Sequence, residues 1–135
     1  MRSLAREVVF KFIFSRLFNP EDEGLFDVLC KNEKLSVEDS KFARDLLSFC
    51  NENYDFYLEK ISNLSKSFKI NRIFSSDKCA IILGMAELDN FPDTPKPVVV
   101  NEAVNLASKY STEKSTNFVN GILAGYLLEK ENKNG

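Results

Sequence analysis

The chain has 135 residues and a net charge of −2, and 44% of its residues are hydrophobic, so we expect one domain, spanning residues 1–135, with a core of its own. Five Gly and four Pro are too few for a collagen-like or turn-dense all-β chain, and the apolar runs are too short to cross a membrane. The absence of histidine excludes Ser-His-Asp catalysis and every His-ligated metal site.

Apolar residues recur with helical spacing through the first half of the chain. The spacing predicts a first helix over about residues 3–18, ended by Pro20, and a short second helix near residues 25–30. Ser36 has a side chain typical of a helix N-cap and precedes a third helix. The pattern resumes at Tyr54, either as a fourth helix or as a bent continuation of the third.

Three more helices are predicted in the second half. Ser75 or Ser76 is expected to cap a fifth helix. Pro97 suits the first turn of a sixth helix, because its missing N–H needs no partner there. Ser111 or Thr112 is expected to open a seventh. The predicted fold class is therefore all-α, with about seven helices.

The seventh helix carries three further expectations. Gly121 and Gly125 lie four residues apart, which predicts close packing against another helix. Asn120, at the edge of the apolar stripe, is expected to be a buried hydrogen-bonding residue rather than a ligand contact. The tail from Glu129 onward is rich in charge, and we expect it to fray.

The first helix is the part of the chain with a local excess of positive charge. Arg2 and Arg6 lie one turn apart on the same face, with Lys11 further along the polar side, and this pattern indicates a nucleic-acid contact. Phe14 falls among these polar residues, where an aromatic ring can stack on a base or anchor a protein partner. The residues leave open whether Arg6 contacts a nucleic acid or forms an ion pair with Glu87 inside the fold.

Catalytic patterns are missing from the sequence. Cys30, Cys50 and Cys79 are widely spaced without a CxxC pair, which is typical of buried thiols in a reducing compartment. There is no Gly-rich phosphate loop. We therefore expect no enzymatic activity, no metal ion, no cofactor and a cytoplasmic location.

Two stretches near opposite ends of the chain match a known family pattern. The first is AREVVFKFIF, and the second is VVVNEAVNLASKYSTEKSTNFVNGIL. Between them, DKCAIILGMAELDNFPDTP places Glu-Leu near the end of a helix, before a Pro-containing loop. Together these stretches resemble the NusB family of transcription antitermination factors. The resemblance covers essentially the whole chain and is weakest over residues 18–70.

The resemblance implies an all-helical fold of two small packed bundles and a function in transcription. Proteins of this family bind box A RNA together with the small-subunit ribosomal protein NusE and support elongation through ribosomal RNA operons. Other Nus factors and RNA polymerase are indirect partners, and no membrane is involved. The implied RNA-binding residues are Arg2, Arg6, Lys11 and Lys114. The implied partner-binding residues are Phe14, Tyr110 and Phe118.

The sequence also departs from the family pattern. Many members have a run of several Arg before the ARE motif, and here that run is reduced to Arg2. Fewer phosphate contacts predict weak RNA binding by this chain alone. An alternative function is therefore a helical protein-interaction module without RNA binding of its own. A third reading is a domain of an RNA methyltransferase, some of which carry a NusB-like domain. In the NEA motif, Asn101 and Glu102 are expected to have structural roles.

Overall fold

The computed structural model describes residues 2–20, 24–66 and 69–134, and the regular secondary structure in these ranges is entirely helical. The elements are α1 (Arg2–Arg16), α2 (Leu25–Asn32), α3 (Val37–Glu52), α4 (Tyr54–Leu64), a short 3-10 helix (Ile70–Arg72), α5 (Ser75–Asn90), α6 (Lys96–Tyr110) and α7 (Glu113–Asn134). The prediction of an all-α chain with about seven helices is confirmed. No helix in the described ranges is long and apolar enough to cross a membrane.

Helix α5 is the centre of the fold. It packs against α1, α3 and α4 from the first half of the chain and against α6 and α7 from the second half. Every residue from Cys79 to Glu87 is buried, because a helix that is enclosed on all sides has no face left for solvent. Helix α5 belongs to the second small bundle, α4–α7, and also packs against α1 and α3 of the first bundle, α1–α3. It therefore joins the two bundles.

Among the described glycines, Gly84 in α5 has the closest neighbours from other helices. A Cβ atom at this position would lie 2.9 Å from Cδ1 of Leu123 on α7 and 3.4 Å from Cβ of Ala103 on α6. Only a residue without a side chain lets three helices approach this closely. By contrast, no described atom outside the local helix backbone lies within 4 Å of a Cβ built on Gly121. The predicted packing role is thus wrong for Gly121. At Gly125, a Cβ atom would lie 3.4 Å from Cδ2 of Leu64 on α4, so α7 does pack closely against another helix there.

Helix boundaries follow the predictions in part. The Asp39 N–H donates to Ser36 Oγ at 3.0 Å, and the Ser115 N–H donates to Thr112 Oγ1 at 3.2 Å, so both positions act as N-caps. Helices α3 and α4 are separate elements, divided at Asn53. Pro97 lies in the first turn of α6, as expected.

Two expectations about helix ends are wrong. The residue before α5 is Phe74, which has extended backbone and forms no side-chain cap, so Ser75 and Ser76 already belong to the helix. The chain also does not fray at Glu129, because α7 continues to Asn134. Lys60 donates to Glu129 at 2.9 Å, and Lys130 forms an ion pair with Asp89. These contacts fasten the start of the charged tail to α4 and α5.

Candidate functional site

Arg6 is the most deeply buried of the predicted cations. Only 4% of its surface is exposed. Its Nε and Nη2 atoms donate to Oε1 and Oε2 of Glu87, both at 2.7 Å, and Nη1 lies 3.6 Å from Glu102. A buried guanidinium needs such pairing because an isolated charge is poorly tolerated away from water. The interpretation of Arg6 as an ion-pair partner of Glu87 is therefore confirmed.

Glu102 has a structural role as well. In addition to its ion pair with Arg6, it accepts a hydrogen bond from Ser3 Oγ at 2.7 Å. Glu102 therefore ties the start of α6 to the start of α1, as its position in the NEA motif predicted. Its neighbour Asn101 is exposed to solvent.

Arg2 is exposed, but its side chain is not loose on the surface. Its guanidinium carbon lies 4.5 Å from the centre of the Phe42 ring, and Nη1 donates to Thr94 Oγ1 at 3.4 Å. A cation over an aromatic face is weakly held, by roughly 0.5–1 kcal/mol at exposed sites. Arg2 therefore presents an ordered positive charge to solvent, between α3 and the loop that precedes α6.

Lys11 is partly balanced by acids within the protein. Its Nζ lies 3.6 Å from Glu7 and 3.5 Å from Glu33, and one third of the side chain is exposed. Burial lowers the pKa of Lys11, but the opposing effects of Tyr110, Glu7 and Glu33 are larger in sum, so the pKa is raised. Lys11 is therefore charged, although two carboxylates weaken its attraction for a phosphate.

Glu7 joins the middle of α1 to the end of α6. Lys109 Nζ donates to Glu7 Oε1 at 2.8 Å, and the Tyr110 hydroxyl donates to the same oxygen. Burial alone raises the pKa of Glu7, but the hydrogen bonds from Lys109 and Tyr110 outweigh it, and the pKa falls below its ordinary value of 4.5. This arrangement fixes the Tyr110 ring against α1.

Four aromatic rings form a continuous row along α1, which we call the aromatic row: Tyr110, Phe10, Phe14 and Phe18. Ring centres are 5.1 Å apart for Tyr110 and Phe10, 6.3 Å for Phe10 and Phe14, and 5.3 Å for Phe14 and Phe18. Phe10 is buried, whereas Phe18 is 65% exposed and Tyr110 36% exposed. The structure thus brings Phe14 and Tyr110 together through Phe10, a residue that sequence reasoning placed in neither set.

Lys114 and Phe118 belong to a different feature, a cavity of about 630 Å³ between the starts of α5 and α7. We call it the α5–α7 cavity. Its lining residues are Arg72, Ile73, Phe74, Asp77, Thr112, Glu113, Lys114, Ser115 and Phe118. Thr112 lies two residues beyond Tyr110, so the short turn between α6 and α7 connects the aromatic row to this cavity.

The cavity contains a buried acid that was not predicted as a site residue. Asp77 is 4% exposed, and its Oδ2 accepts a hydrogen bond from Ser115 Oγ at 2.9 Å. Among the described residues, none donates a hydrogen bond to Asp77 Oδ1. Buried polar atoms are normally paired, so Asp77 Oδ1, which is closed to solvent, is an exception among the described residues.

The FVNG motif also lies partly on the surface. Asn120 and Gly121 are both exposed, so the expectation that Asn120 is buried is wrong. In the same helix, Val119, Ile122 and Leu123 form the buried face. The turn of the helix leaves Asn120 and Gly121 on the outer side.

Comparisons with known proteins agree with this architecture. The family model described as the NusB family matches residues 2–127. The transcription antitermination protein NusB of Finegoldia magna is 33% identical over 132 residues, covering 97% of this chain and 96% of that protein. The protein of the same name from Natranaerobius thermophilus is 35% identical and covers 90% of this chain and 91% of its own length.

Solved structures give the same result. NusB of T. maritima superposes with a TM-score of 0.84 at 28% identity, covering 92% of this chain and 88% of that chain. A complex of antitermination factors NusB and NusE with double-stranded RNA contains a chain that superposes with a TM-score of 0.81 at 25% identity, covering 92% and 93%. The match extends over both helical bundles and both ends of the sequence. The chain therefore belongs to the NusB family.

Proposed function

We propose that this protein is an RNA-binding transcription antitermination factor that binds box A RNA together with the ribosomal protein NusE and catalyses no reaction. The observation that carries the proposal is the match, over most of both chains, to a protein solved as a complex with NusE and double-stranded RNA. The proposal places the protein in the cytoplasm, with other Nus factors and RNA polymerase as indirect partners.

We assign the RNA contacts to Arg2, Lys11 and Lys114, and we leave out Arg6. Arg2 and Lys114 are exposed cations, and Lys11 is partly exposed between two acids. Arg6 is buried, its Nε and Nη2 atoms donate to Glu87, and its Nη1 atom lies 3.6 Å from Glu102. Phosphate contacts of this kind provide affinity without reading sequence.

We assign the NusE contact to the aromatic row, which includes the predicted partner residues Phe14 and Tyr110. Exposed aromatic rings backed by a packed helix are typical anchors of protein interfaces. Phe118 was predicted as a partner residue, but it shares the α5–α7 cavity with Lys114. We therefore place Phe118 on the RNA side of the surface.

The test is the salt dependence of box A RNA binding in the presence of NusE. The variant Arg2→Glu/Lys114→Glu is expected to bind more weakly and to have a smaller slope of log affinity against log salt, by about 0.7 for each lost phosphate contact to a single strand. Lys31→Glu, at an exposed position on α2, is the matched control and is expected to keep the slope of the parent. Unchanged affinity and slope in the double variant would reject this RNA surface.

One observation favours the second candidate function, a protein-interaction module without RNA binding. Arg6 is buried in an ion pair, and Lys11 lies between Glu7 and Glu33, so two of the predicted cations on α1 are engaged within the protein. Under this alternative the protein binds NusE. The addition of box A RNA then changes neither the affinity of the protein for NusE nor the salt dependence of that affinity. The same titrations therefore separate the two functions.

A further inference from the structure

Tyr110 stands at the end of a helix and at one end of the aromatic row. It is the last residue of α6, and 36% of its surface is exposed. Its ring centre lies 5.1 Å from that of Phe10, with 27° between the two ring planes. Stacking attracts the face of one ring to the other, whereas the hydroxyl end of the side chain needs a contact of its own to stay in one place.

Glu7 provides this second contact. The Tyr110 hydroxyl donates to Glu7 Oε1, and Glu7 lies one helical turn before Phe10 on α1, so the two residues are neighbours on the helix surface. Hydrogen bonds that involve an ionised group are roughly twice as strong as those between neutral groups. Helix α1 therefore holds the tyrosine at two points, the ring by Phe10 and the hydroxyl by Glu7.

The surroundings keep both members of this hydrogen bond in the required charge state. Burial raises the pKa of Glu7, but its contacts with Lys109, Tyr110 and Lys11 outweigh burial, so the pKa is lowered and the carboxylate is ionised at neutral pH. Burial raises the pKa of Tyr110, and the hydrogen bond to Glu7 raises it further, so the phenol keeps its proton. The Glu7 side chain is only 15% exposed, which leaves it little surface for a partner.

A ring that is already fixed binds a partner more tightly than one that must first be ordered. Immobilising a mobile side chain at an interface weakens affinity by roughly two- to tenfold. A residue that orders such a ring in the free protein therefore strengthens binding without a contact of its own to the partner.

We propose that Glu7 is a positioning residue for partner binding, which holds Tyr110 through its hydroxyl in the orientation that the aromatic row presents to NusE. The inference rests on the assignment of the aromatic row to NusE made above. It gives the Glu of the ARE motif a role in binding in addition to its contact between α1 and α6.

The experiment is a double-mutant cycle on NusE binding, measured by isothermal titration calorimetry without RNA. Glu7→Met removes the acceptor, and Tyr110→Phe removes the donor but keeps the ring. Each variant is expected to weaken NusE binding at least about threefold. The double variant is expected to bind no more weakly than the weaker of the two single variants, because both changes remove the same hydrogen bond.

Two further variants separate positioning from a general effect on the fold. Glu7→Gln keeps an oxygen that can accept from the hydroxyl, so it is expected to bind NusE more tightly than Glu7→Met. Glu59→Met, at an exposed position on α4, is the matched control and is expected to bind like the parent. Urea denaturation of every variant measures its stability separately from its affinity.

The outcomes distinguish this inference from the function on which it rests. If the parent binds NusE and Tyr110→Phe retains the affinity of the parent, Glu7 does not act through the hydroxyl, and the inference is rejected while the proposed function stands. This result is decisive even if Glu7→Met fails to fold. Additive losses in the double variant would reject the inference as well. If the parent does not bind NusE, the partner assignment and the inference are both rejected.

Discussion

The Arg6–Glu87 pair connects α1 to α5 through two hydrogen bonds in a position nearly closed to water, with exposed side-chain fractions of 5% and 1%. The attraction between the two charges has to offset the loss of their hydration, so the net gain from such a pair is small. Removal of one partner is much more harmful, because the remaining charge stays buried without a counterion.

We therefore predict that Arg6→Met lowers the free energy of unfolding by about 3–5 kcal/mol. Arg2→Met, which removes an exposed guanidinium one turn away, is expected to cost under about 1 kcal/mol. Urea denaturation of both variants measures the difference. Adding Glu87→Leu to Arg6→Met is expected to recover part of the loss, because the fully buried carboxylate is then removed and the remaining partner, Glu102, is partly exposed. Equal losses in the two single variants would contradict the structural role of Arg6.

Glu7 gives the protein a pH-dependent contact between α1 and α6. Its pKa in the folded state lies below its ordinary value of 4.5, because the hydrogen bonds from Lys109 and Tyr110 outweigh the effect of burial. A group with a lowered pKa stabilises the fold above its unfolded pKa, and this stabilisation is lost as the pH falls through the folded pKa.

We predict that the parent loses more stability than Glu7→Gln when the pH is lowered from neutral to below 4.5. Chemical denaturation at a series of pH values gives the two curves, and their difference is expected to shrink toward the acid end. Parallel curves over the whole range would show that Glu7 has the same pKa in the folded and unfolded states.

At the scale of the helices, two glycines that look alike in the sequence have opposite surroundings. Gly84 lies where α5, α6 and α7 cross, and an added Cβ would lie 2.9 Å from the buried Leu123 side chain. Gly121 faces open space. A Gly-to-Ala change inside a helix gains about 1 kcal/mol of helix propensity at either site. The difference between the stability changes at the two sites therefore measures the effect of packing at the helix crossing.

We predict that Gly121→Ala stabilises the protein by about 0.5–1 kcal/mol. Gly84→Ala is expected to destabilise it by about 1 kcal/mol net, because overpacking of a core by a methyl group costs about 1–3 kcal/mol and exceeds the gain in propensity. Thermal or urea unfolding of the two variants provides the comparison. A stabilised Gly84→Ala protein would show that the three helices adjust freely at their crossing.

The number and order of the helices were predictable because apolar spacing and a few caps are local signals. Ser36 shows this well, since its N-cap role depends only on the following turn. The role of Gly84 was not predictable, because α5 is apolar on every side and its pattern does not show where a neighbour comes closest. The spacing of Gly121 and Gly125 suggested a contact, but the partner surface exists only at Gly125.

At the scale of the whole molecule, the candidate surface was predictable only in pieces. Phe14 and Tyr110 are 96 positions apart, as their numbers show, and they meet through the Phe10 ring. The recurrence of Phe at positions 10, 14 and 18 was the available signal for the aromatic row. The burial of Asp77 had no such signal, because it depends on the meeting of α5 with α7. The RNA role of Arg2, Lys11 and Lys114 stays a prediction.

The aromatic row and the α5–α7 cavity are joined by the turn between α6 and α7, which begins directly after Tyr110 and includes Thr112. If NusE covers the row while RNA contacts Arg2 and Lys114 at the rim of the cavity, both ligands lie against this turn. We therefore predict positive coupling, with NusE tightening box A RNA binding about 5- to 150-fold and RNA tightening NusE binding by the same factor.

Four dissociation constants test this coupling: each ligand alone and each in the presence of the other. Phe14→Ala is the control. Phe14 is part of the aromatic row but does not line the cavity, so this variant is expected to weaken the NusE contact without changing the cavity. At limiting NusE, RNA binding by Phe14→Ala is expected to fall to the value measured without NusE, and saturating NusE is expected to restore it. Equal RNA affinity of the parent with and without NusE would mean that the row and the cavity act independently, and the shared turn would then have no part in assembling the complex.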